Sequence, residues 1–347
     1  MSNKKSLLLP FGVCCLLGAP CTPALAHHSF AEYDQAHSIE LQGKLLDIAW
    51  QNPHVHFRLL ANGKTWDIES NSLSILRRTN ATPDSLKAGD TVRMAGWPSK
   101  RAPDRMFVTN VLPQQGQELV LDMRSKPRWS ATAAGLETSW MGKGVAAKGE
   151  ATIFTTWSTD LSDFSTAFPW RPAAQYPLTA KAKQVFAKWD PIHQSVAPGC
   201  RPKGMPSMIE APYPMEFVDK GDTVLMRMEE YDAVRTIHMK AADAPKQPRT
   251  LMGYSVGHWE GKALVVDTSR IDWQFFDTDG VPLLGPDARV VERFSMNADG
   301  SVLTDEFTTT DPETFTRPLT LKRIWVRRPG EQVKPYNCVP DRTPARK

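Results

Sequence analysis

The sequence predicts a mainly β protein with two barrels in series: an N-terminal OB-like barrel and a C-terminal antiparallel barrel, lipocalin-like, or a strongly curved sheet. Short stretches of alternating apolar and polar residues recur in both halves of the chain, which is typical of strands with one buried face. Turn pairs such as Asn-Gly and Asp-Gly separate many of these stretches. The chain of 347 residues is also long enough for two hydrophobic cores.

The first 26 residues have the pattern of a secretory signal peptide. Lys4 and Lys5 precede a short apolar run, and Ala-Leu-Ala ends the segment as a small-residue cleavage site. The bulky Pro20 before Cys21 disfavours a lipoprotein signal. Neither this run nor any later one reaches the roughly 20 apolar residues of a membrane span. We therefore expect cleavage before His27 and a periplasmic or secreted protein.

Cleavage leaves a nearly neutral chain with two cysteines. Loss of Lys4 and Lys5 lowers the formal net charge from +4 to about +2. Basic residues are not interleaved with aromatic residues along one face, so nucleic acid is not an expected partner. Cys200 and Cys338 remain in a compartment where disulfides persist, and we predict that they pair. Two buried free thiols are the alternative.

Residues 27–118 predict the OB-like domain. Alternating stretches begin at Ile39, pass through a strand pair joined by the Asn62–Gly63 turn, and end near Pro113. Ser72 is placed to cap a short helix before the last two strands. Five short strands with one helix between the third and fourth follow the order of an OB-type barrel.

The rest of the chain divides into a connector and a second barrel. Residues 119–197 show little periodicity and predict a linker with one short helix. Residues 198–347 contain about eight alternating segments joined mostly by short turns, the pattern of an up-and-down barrel. A closed barrel of that size has room for one small ligand. A small hydrophobic or aromatic molecule is therefore the expected partner.

Both halves carry stretches that resemble known groups of proteins. The first half resembles a family of small exported bacterial proteins of unknown function in three stretches: AHHSFAEYD, WQNPHVHF and SLKAGDTVRMAGWPS. It departs from the usual family sequence at Gln51, where Thr is usual, and at Ala88, where Pro is usual. The second half resembles another group of uncharacterised exported proteins in the stretches GCRPKGMP, MGYSVGHWEGKALVVDT, VVERF and DPETFTRP. The resemblance implies export and β architecture, and it implies no reaction.

A metal site is the first candidate for chemistry. Of the eight histidines, five lie between His27 and His56, and imidazole is a common ligand of copper and zinc. His54 and His56 are two residues apart on a predicted strand and therefore share a face. The α-amine and ring of His27 form a possible chelate that His54 or His56 completes, with copper as the candidate metal. The alternative is that His54 belongs to a Pro-His turn and His56 only packs beside the strand.

Strand alternation predicts converging charges in the second barrel. Five of its apolar strand faces each carry one charged residue that would point inward. These candidate catalytic residues are Glu230, Arg235, Glu292, Asp305 and Arg323. Charged groups are rarely buried unless paired, so a polar-lined cavity is one interpretation, and a buried carboxyl group there could act as a general acid or base. Ordinary cross-strand ion pairs near the barrel rims are the alternative.

Two hypotheses for the function follow. The first is a periplasmic binding protein with a metal site in the N-terminal domain and a small hydrophobic or aromatic ligand in the C-terminal barrel. The second is a cofactor-independent enzyme, an isomerase, cyclase or lyase, that uses the barrel carboxylates. The sequence contains no nucleophile-elbow, phosphate-loop or dinucleotide motif, which disfavours nucleotide and nicotinamide enzymes. It leaves open whether the protein is catalytic.

Overall fold

A computed structural model of the chain describes residues 30–135, 142–162, 171–190, 194, 200–240, 244–277 and 281–340. The predicted signal peptide and His27 lie outside these residues. Within them, no helix combines the length and apolar character needed to cross a membrane.

The N-terminal region is a closed five-stranded barrel, which confirms the OB-like prediction. The strand order is β3-β2-β1-β4-β5, and parallel pairing of β3 with β5 closes the ring. Helix α1 lies between β3 and β4, and the side chain of Ser72 accepts a hydrogen bond from the Ile75 amide as its N-cap. The elements are β1 (Ile39–Ala49), β2 (His56–Ala61), β3 (Lys64–Glu69), α1 (Leu73–Arg78), β4 (Thr91–Pro98) and β5 (Arg105–Pro113).

The hairpin of β2 and β3 turns at Asn62 and Gly63. Both residues have positive φ angles, 52° and 71°, as the tight hairpin turn of an Asn-Gly pair requires. This turn sets a register that places His56 opposite Glu69. Leu45, Phe57 and Leu59 are among the fully buried side chains of this barrel.

The C-terminal region is a closed barrel of nine strands. The ring order is β10-β11-β12-β13-β14-β15-β16-β8-β9. Its strands are β8 (Thr156–Ser158), β9 (Met215–Asp219), β10 (Thr223–Met228), β11 (Val234–His238), β12 (Tyr254–Glu260), β13 (Ala263–Ser269), β14 (Arg289–Met296), β15 (Val302–Thr310) and β16 (Leu319–Arg327).

The ring is antiparallel except for one pair, β11 and β12, which run parallel. An odd number of strands cannot alternate in direction all the way round a closed ring, so one parallel pair is the minimum. The strand that makes the number odd is β8, which pairs with both β16 and β9. It comes from within residues 119–197, where the sequence predicts a linker. A three-residue strand is too short to show periodicity.

The remaining elements are short. Strands β6 (Glu118–Val120) and β7 (Ala133–Ala134) extend the first sheet beyond β5. Helix α2 (Ala180–Phe186) is the short helix of the predicted linker, and the Thr179 side chain caps it. Short 3-10 helices span Phe30–Glu32, Ala173–Gln175, Ser207–Glu210, Glu230–Asp232 and Ala244–Lys246.

Helix α1 and the C-terminal segment, residues 328–340 after β16, both connect the two barrels. Arg78, the last residue of α1, donates two hydrogen bonds of 2.7 Å to Glu229 of the second barrel. The C-terminal segment also reaches the first barrel, where the Val339 amide donates a hydrogen bond to the Asn52 carbonyl. Cys338 in this segment forms the predicted disulfide with Cys200, with 5.7 Å between the Cα atoms.

Candidate metal centre and buried charge cluster

Three potential metal ligands meet beside the β2–β3 hairpin. His54, His56 and Glu69 each offer one ligand atom, and these atoms all lie within 4.8 Å of one another. Strand β2 begins at His56, so His54 precedes the strand, yet the two imidazole rings are 6.4 Å apart and share one side. The hairpin register brings Glu69 to the same place. Sequence reasoning missed Glu69, although the Asn-Gly turn alone pairs it with His56.

The two oxygens of the Glu69 carboxylate have different surroundings. Oε1 lies 3.2 Å from His54 Nδ1. Oε2 accepts a hydrogen bond of 2.9 Å from the Tyr33 hydroxyl and lies 3.5 Å from the Arg105 guanidinium. This arrangement matches that of metal-ligating carboxylates, which are usually held in place by hydrogen bonds from surrounding groups. Glu69 is buried, while the side chains of His54 and His56 are 23% and 14% exposed, so a dissolved ion can reach the imidazoles.

Further charges surround the cluster. Asp67 lies 3.9 Å from His56 Nδ1 and 3.5 Å from Arg105, and Arg105 also lies 3.5 Å from Glu32. Burial opposes the positive charge of Arg105, but the carboxylates of Glu69, Glu32 and Asp67 raise its pKa. Burial and then the charge of Glu69 raise the pKa of the Tyr33 hydroxyl. Tyr33 therefore remains a hydrogen-bond donor at neutral pH.

His27, the third histidine of the predicted site, lies outside the described residues. Tyr33 follows it by six residues and contacts Glu69 directly. Six residues of extended chain span at most about 20 Å, which bounds how far His27 can be from Tyr33.

In the second barrel, four of the predicted charges face the interior, in agreement with strand alternation. Arg235, Glu292, Asp305 and Arg323 are all at most 1% exposed. They lie among fully buried aromatic side chains: Trp157, Phe294, Phe307 and Trp325. These side chains form part of one packed hydrophobic cluster.

Arg235 and Glu292 form a fully hydrogen-bonded ion pair. Both terminal nitrogens of Arg235 donate to the Glu292 carboxylate. Its Nε donates to Ser255 and Nη2 also donates to Thr268, at 2.9 and 2.6 Å. Removal of either partner alone would leave the other charge buried and unpaired, which is strongly destabilising. Sequence reasoning missed both hydroxyl partners, which lie on β12 and β13.

Asp305 has a different environment. Neither of its carboxyl oxygens has a hydrogen-bond partner of normal geometry among the described residues. Burial and then the charge of Glu292 raise its pKa well above the ordinary value, although Arg235 and Arg323 oppose the shift. Burial and the neighbouring Glu292 carboxylate thus oppose ionisation of Asp305 in the folded protein.

Arg323 lies opposite Asp305 in the strand register, but its hydrogen bonds lead elsewhere. It donates to the carbonyl of Ile209 at 3.2 Å and to the Thr159 hydroxyl at 2.7 Å. Burial lowers its pKa to about 9, against the charges of Glu210 and Asp305. Arg323 thus ties β16 to the 3-10 helix Ser207–Glu210.

Glu230 departs from the prediction. Strand β10 ends at Met228, and Glu230 begins a 3-10 turn instead of continuing the inward-facing strand positions. It is buried and lies 3.0 Å from the amine of Lys203. Glu229 has helical backbone angles, φ −64° and ψ −40°, and this change of conformation ends the strand alternation before Glu230.

Residues 16–105 match the model of a family of unknown function, DUF6152. The match includes His54, His56, Glu69 and Arg105, so the whole candidate metal centre lies within it. It also agrees with the resemblance to uncharacterised proteins found for the first half of the sequence. No curated protein matches the chain.

Proposed function

We propose that this chain is an exported metal-binding protein whose N-terminal barrel holds a divalent transition-metal ion through His54, His56 and Glu69. The observation that carries the proposal is the convergence of two imidazoles and one carboxylate within 4.8 Å. Two histidines and a carboxylate are a common ligand set for zinc and for other transition metals. The Irving–Williams order favours Cu(II) as the tightest-binding ion.

His27 is proposed as a further ligand. Export with cleavage after Ala26 would leave an α-amine and an imidazole on one residue, and the chain from Tyr33 back to this residue is short. Together with His54, His56 and Glu69, the two donor groups of this chelate would give a copper site of up to five ligand atoms. The periplasm or the extracellular space is the proposed location.

Metal titration of the chain beginning at His27 tests the proposal. We expect Cu(II) to bind at one site, and the double variant His54→Ala, His56→Ala to lose at least about a hundredfold in affinity, because two ligands are removed. His258→Ala is the matched control, since this exposed histidine lies on the second barrel beside Glu260. Affinity should also fall as the pH drops through the usual histidine range near 6.5, where protons compete with the metal.

Equal copper affinity in the double variant and in the control would contradict the metal centre. Circular dichroism of the metal-free proteins would show that the variants fold. One additional residue before His27 separates the two parts of the proposal. A loss of affinity would assign the α-amine as a ligand. Unchanged affinity would exclude His27 as a ligand and leave the proposed site with His54, His56 and Glu69.

Acid–base catalysis in the second barrel remains the alternative function, and Asp305 is the observation that favours it. A neutral buried carboxyl group is a general acid in several enzymes. However, Arg235 and Glu292 are already paired with each other, and packed aromatic side chains surround Asp305. The metal-binding function therefore has the stronger support.

A further inference from the structure

A groove outside the second barrel has the character of a ligand site. It lies between residues 271–275 and residues 284–286 and has a volume of about 590 Å³, within the usual range of small-molecule sites. Phe275 is half-buried at the groove, and the buried core residues Ile271, Trp273 and Leu284 form its apolar floor. This groove is separate from the metal centre and from the charges inside the barrel.

Two arginines line the same groove. The guanidinium of Arg201 lies 5.7 Å from the centroid of the Trp273 ring. Arg249 donates to the Ile271 carbonyl at 2.9 Å, which holds its side chain along one wall. A smaller adjoining groove of about 210 Å³ shares Arg249 and adds Arg270. Asp272 and Asp287 also line the grooves, and Asp287, which is 96% exposed, lies 3.5 Å from the Arg249 guanidinium as its ion-pair partner.

The walls of the groove are fixed by hydrogen bonds. The Trp273 indole donates to the Ser207 hydroxyl, which in turn donates to the Phe275 carbonyl, both at 2.8 Å. The Leu284 amide donates to the Gln274 carbonyl, and the Gly285 amide donates to Asp311. A groove whose walls are already positioned loses little entropy when a ligand binds.

We propose that this groove binds a small organic anion with an aromatic body. The aromatic and aliphatic side chains would contact the body of the ligand. Arg201 and Arg249 would bind its carboxylate, because guanidinium groups form charge-assisted hydrogen bonds with carboxylates. A neutral molecule of the same shape would lack these charge-assisted hydrogen bonds and should bind more weakly. The proposal stands independently of the metal centre.

Calorimetric titration with 1-naphthoate and with its neutral analogue 1-naphthamide tests the proposal. We expect 1-naphthoate to bind about tenfold more tightly than 1-naphthamide, the effect of one charge-assisted hydrogen bond. Arg201→Gln should remove most of this preference and leave naphthamide binding unchanged. Arg227→Gln is the matched control, because this arginine is exposed on β10 and pairs with Glu216.

Several results would overturn the proposal. These are the absence of binding by both compounds, equal affinity for the two, or naphthoate affinity that Arg201→Gln and Arg249→Gln both leave unchanged. Arg201→Gln is the primary variant because Arg201 is exposed, so its replacement should leave the fold intact. Thermal unfolding of each variant checks this. Metal binding measured on the same samples should be unaffected by the arginine substitutions.

Discussion

At the residue scale, Asp305 links the fold of the second barrel to pH. Its carboxyl group lies fully buried beside the Arg235–Glu292 pair, and its pKa is raised in the folded state by burial and by Glu292. A raised pKa means that the folded protein binds this proton more tightly than the unfolded chain does. The resulting contribution to stability is complete below the pKa of Asp305 in the unfolded chain, about 4. This contribution is lost as the pH rises toward the pKa of Asp305 in the folded protein.

We therefore predict that Asp305→Asn removes a pH-dependent destabilisation. Between the unfolded and folded pKa values, the wild-type protein should lose about 1.4 kcal/mol per pH unit relative to the variant. Urea unfolding from pH 4 to pH 8 measures the difference. Asp287→Asn is the control, since Asp287 is almost fully exposed. A constant difference between wild type and Asp305→Asn across this range would show that Asp305 is ionised in the folded protein.

At the scale of elements, helix α1 belongs to the first barrel and contacts the second. Ser72, its N-cap, also accepts a hydrogen bond of 3.0 Å from the Tyr213 hydroxyl. Arg78 at its other end is nearly buried between Glu229, which is fully buried, and Glu331. Six residues are too few for a stable isolated helix, so these contacts keep α1 in place.

Replacement of Arg78 by Met should destabilise the protein by about 3–5 kcal/mol, because Glu229 would remain buried without its ion-pair partner. Arg77→Met is the matched control, since Arg77 is the adjacent and exposed residue of the same helix. The double variant Arg78→Met, Glu229→Met should lose less than the sum of the two single variants. Chemical denaturation of the wild type, the three single variants and the double variant measures these losses. Equal losses for Arg77→Met and Arg78→Met would argue against this role for the ion pair.

At the scale of the whole molecule, the C-terminal segment connects distant parts of the chain. Its Cys338 is bonded to Cys200, 138 residues earlier. Beside this disulfide, the Asn52 side chain donates to the Tyr336 carbonyl at 2.5 Å, and the Val339 amide donates to the Asn52 carbonyl at 2.8 Å. Asn52 is two residues from His54. Through the hydrogen bonds of Asn52, the segment with the disulfide is therefore connected to the part of the chain that carries the proposed metal ligands.

The double variant Cys200→Ser, Cys338→Ser should be less stable by up to about 5 kcal/mol, the chain-entropy value for a loop of this length. Guanidinium unfolding in the absence of reductant measures this loss. Hydrogen exchange should also show weaker protection of the Val339 amide, because the segment would no longer be tethered. Unchanged stability together with unchanged protection would mean that packing alone holds the segment.

Local chemistry in the sequence was sufficient to predict much of this protein. Strand alternation predicted the buried positions of Arg235 and Asp305, because successive side chains of a strand point to opposite faces. The Ser72 cap and the Asn62–Gly63 turn are equally local signals, and the turn also implies the pairing of His56 with Glu69. The two-barrel, mainly β architecture follows from patterns of the same kind, while the disulfide was predicted from the two cysteines that remain after the expected cleavage.

Only the tertiary structure decided what these residues contact. It brought Tyr33 and Arg105 to Glu69, recruited β8 from the predicted linker to close the second barrel, and directed the hydrogen bonds of Arg323 to Ile209 and Thr159. It also assembled the arginine-lined groove from segments around residues 201, 249 and 273. Each of these contacts joins residues far apart in sequence, and their pairing depends on loop closure and side-chain packing. A local pattern of turns and alternating residues carries no signal for either.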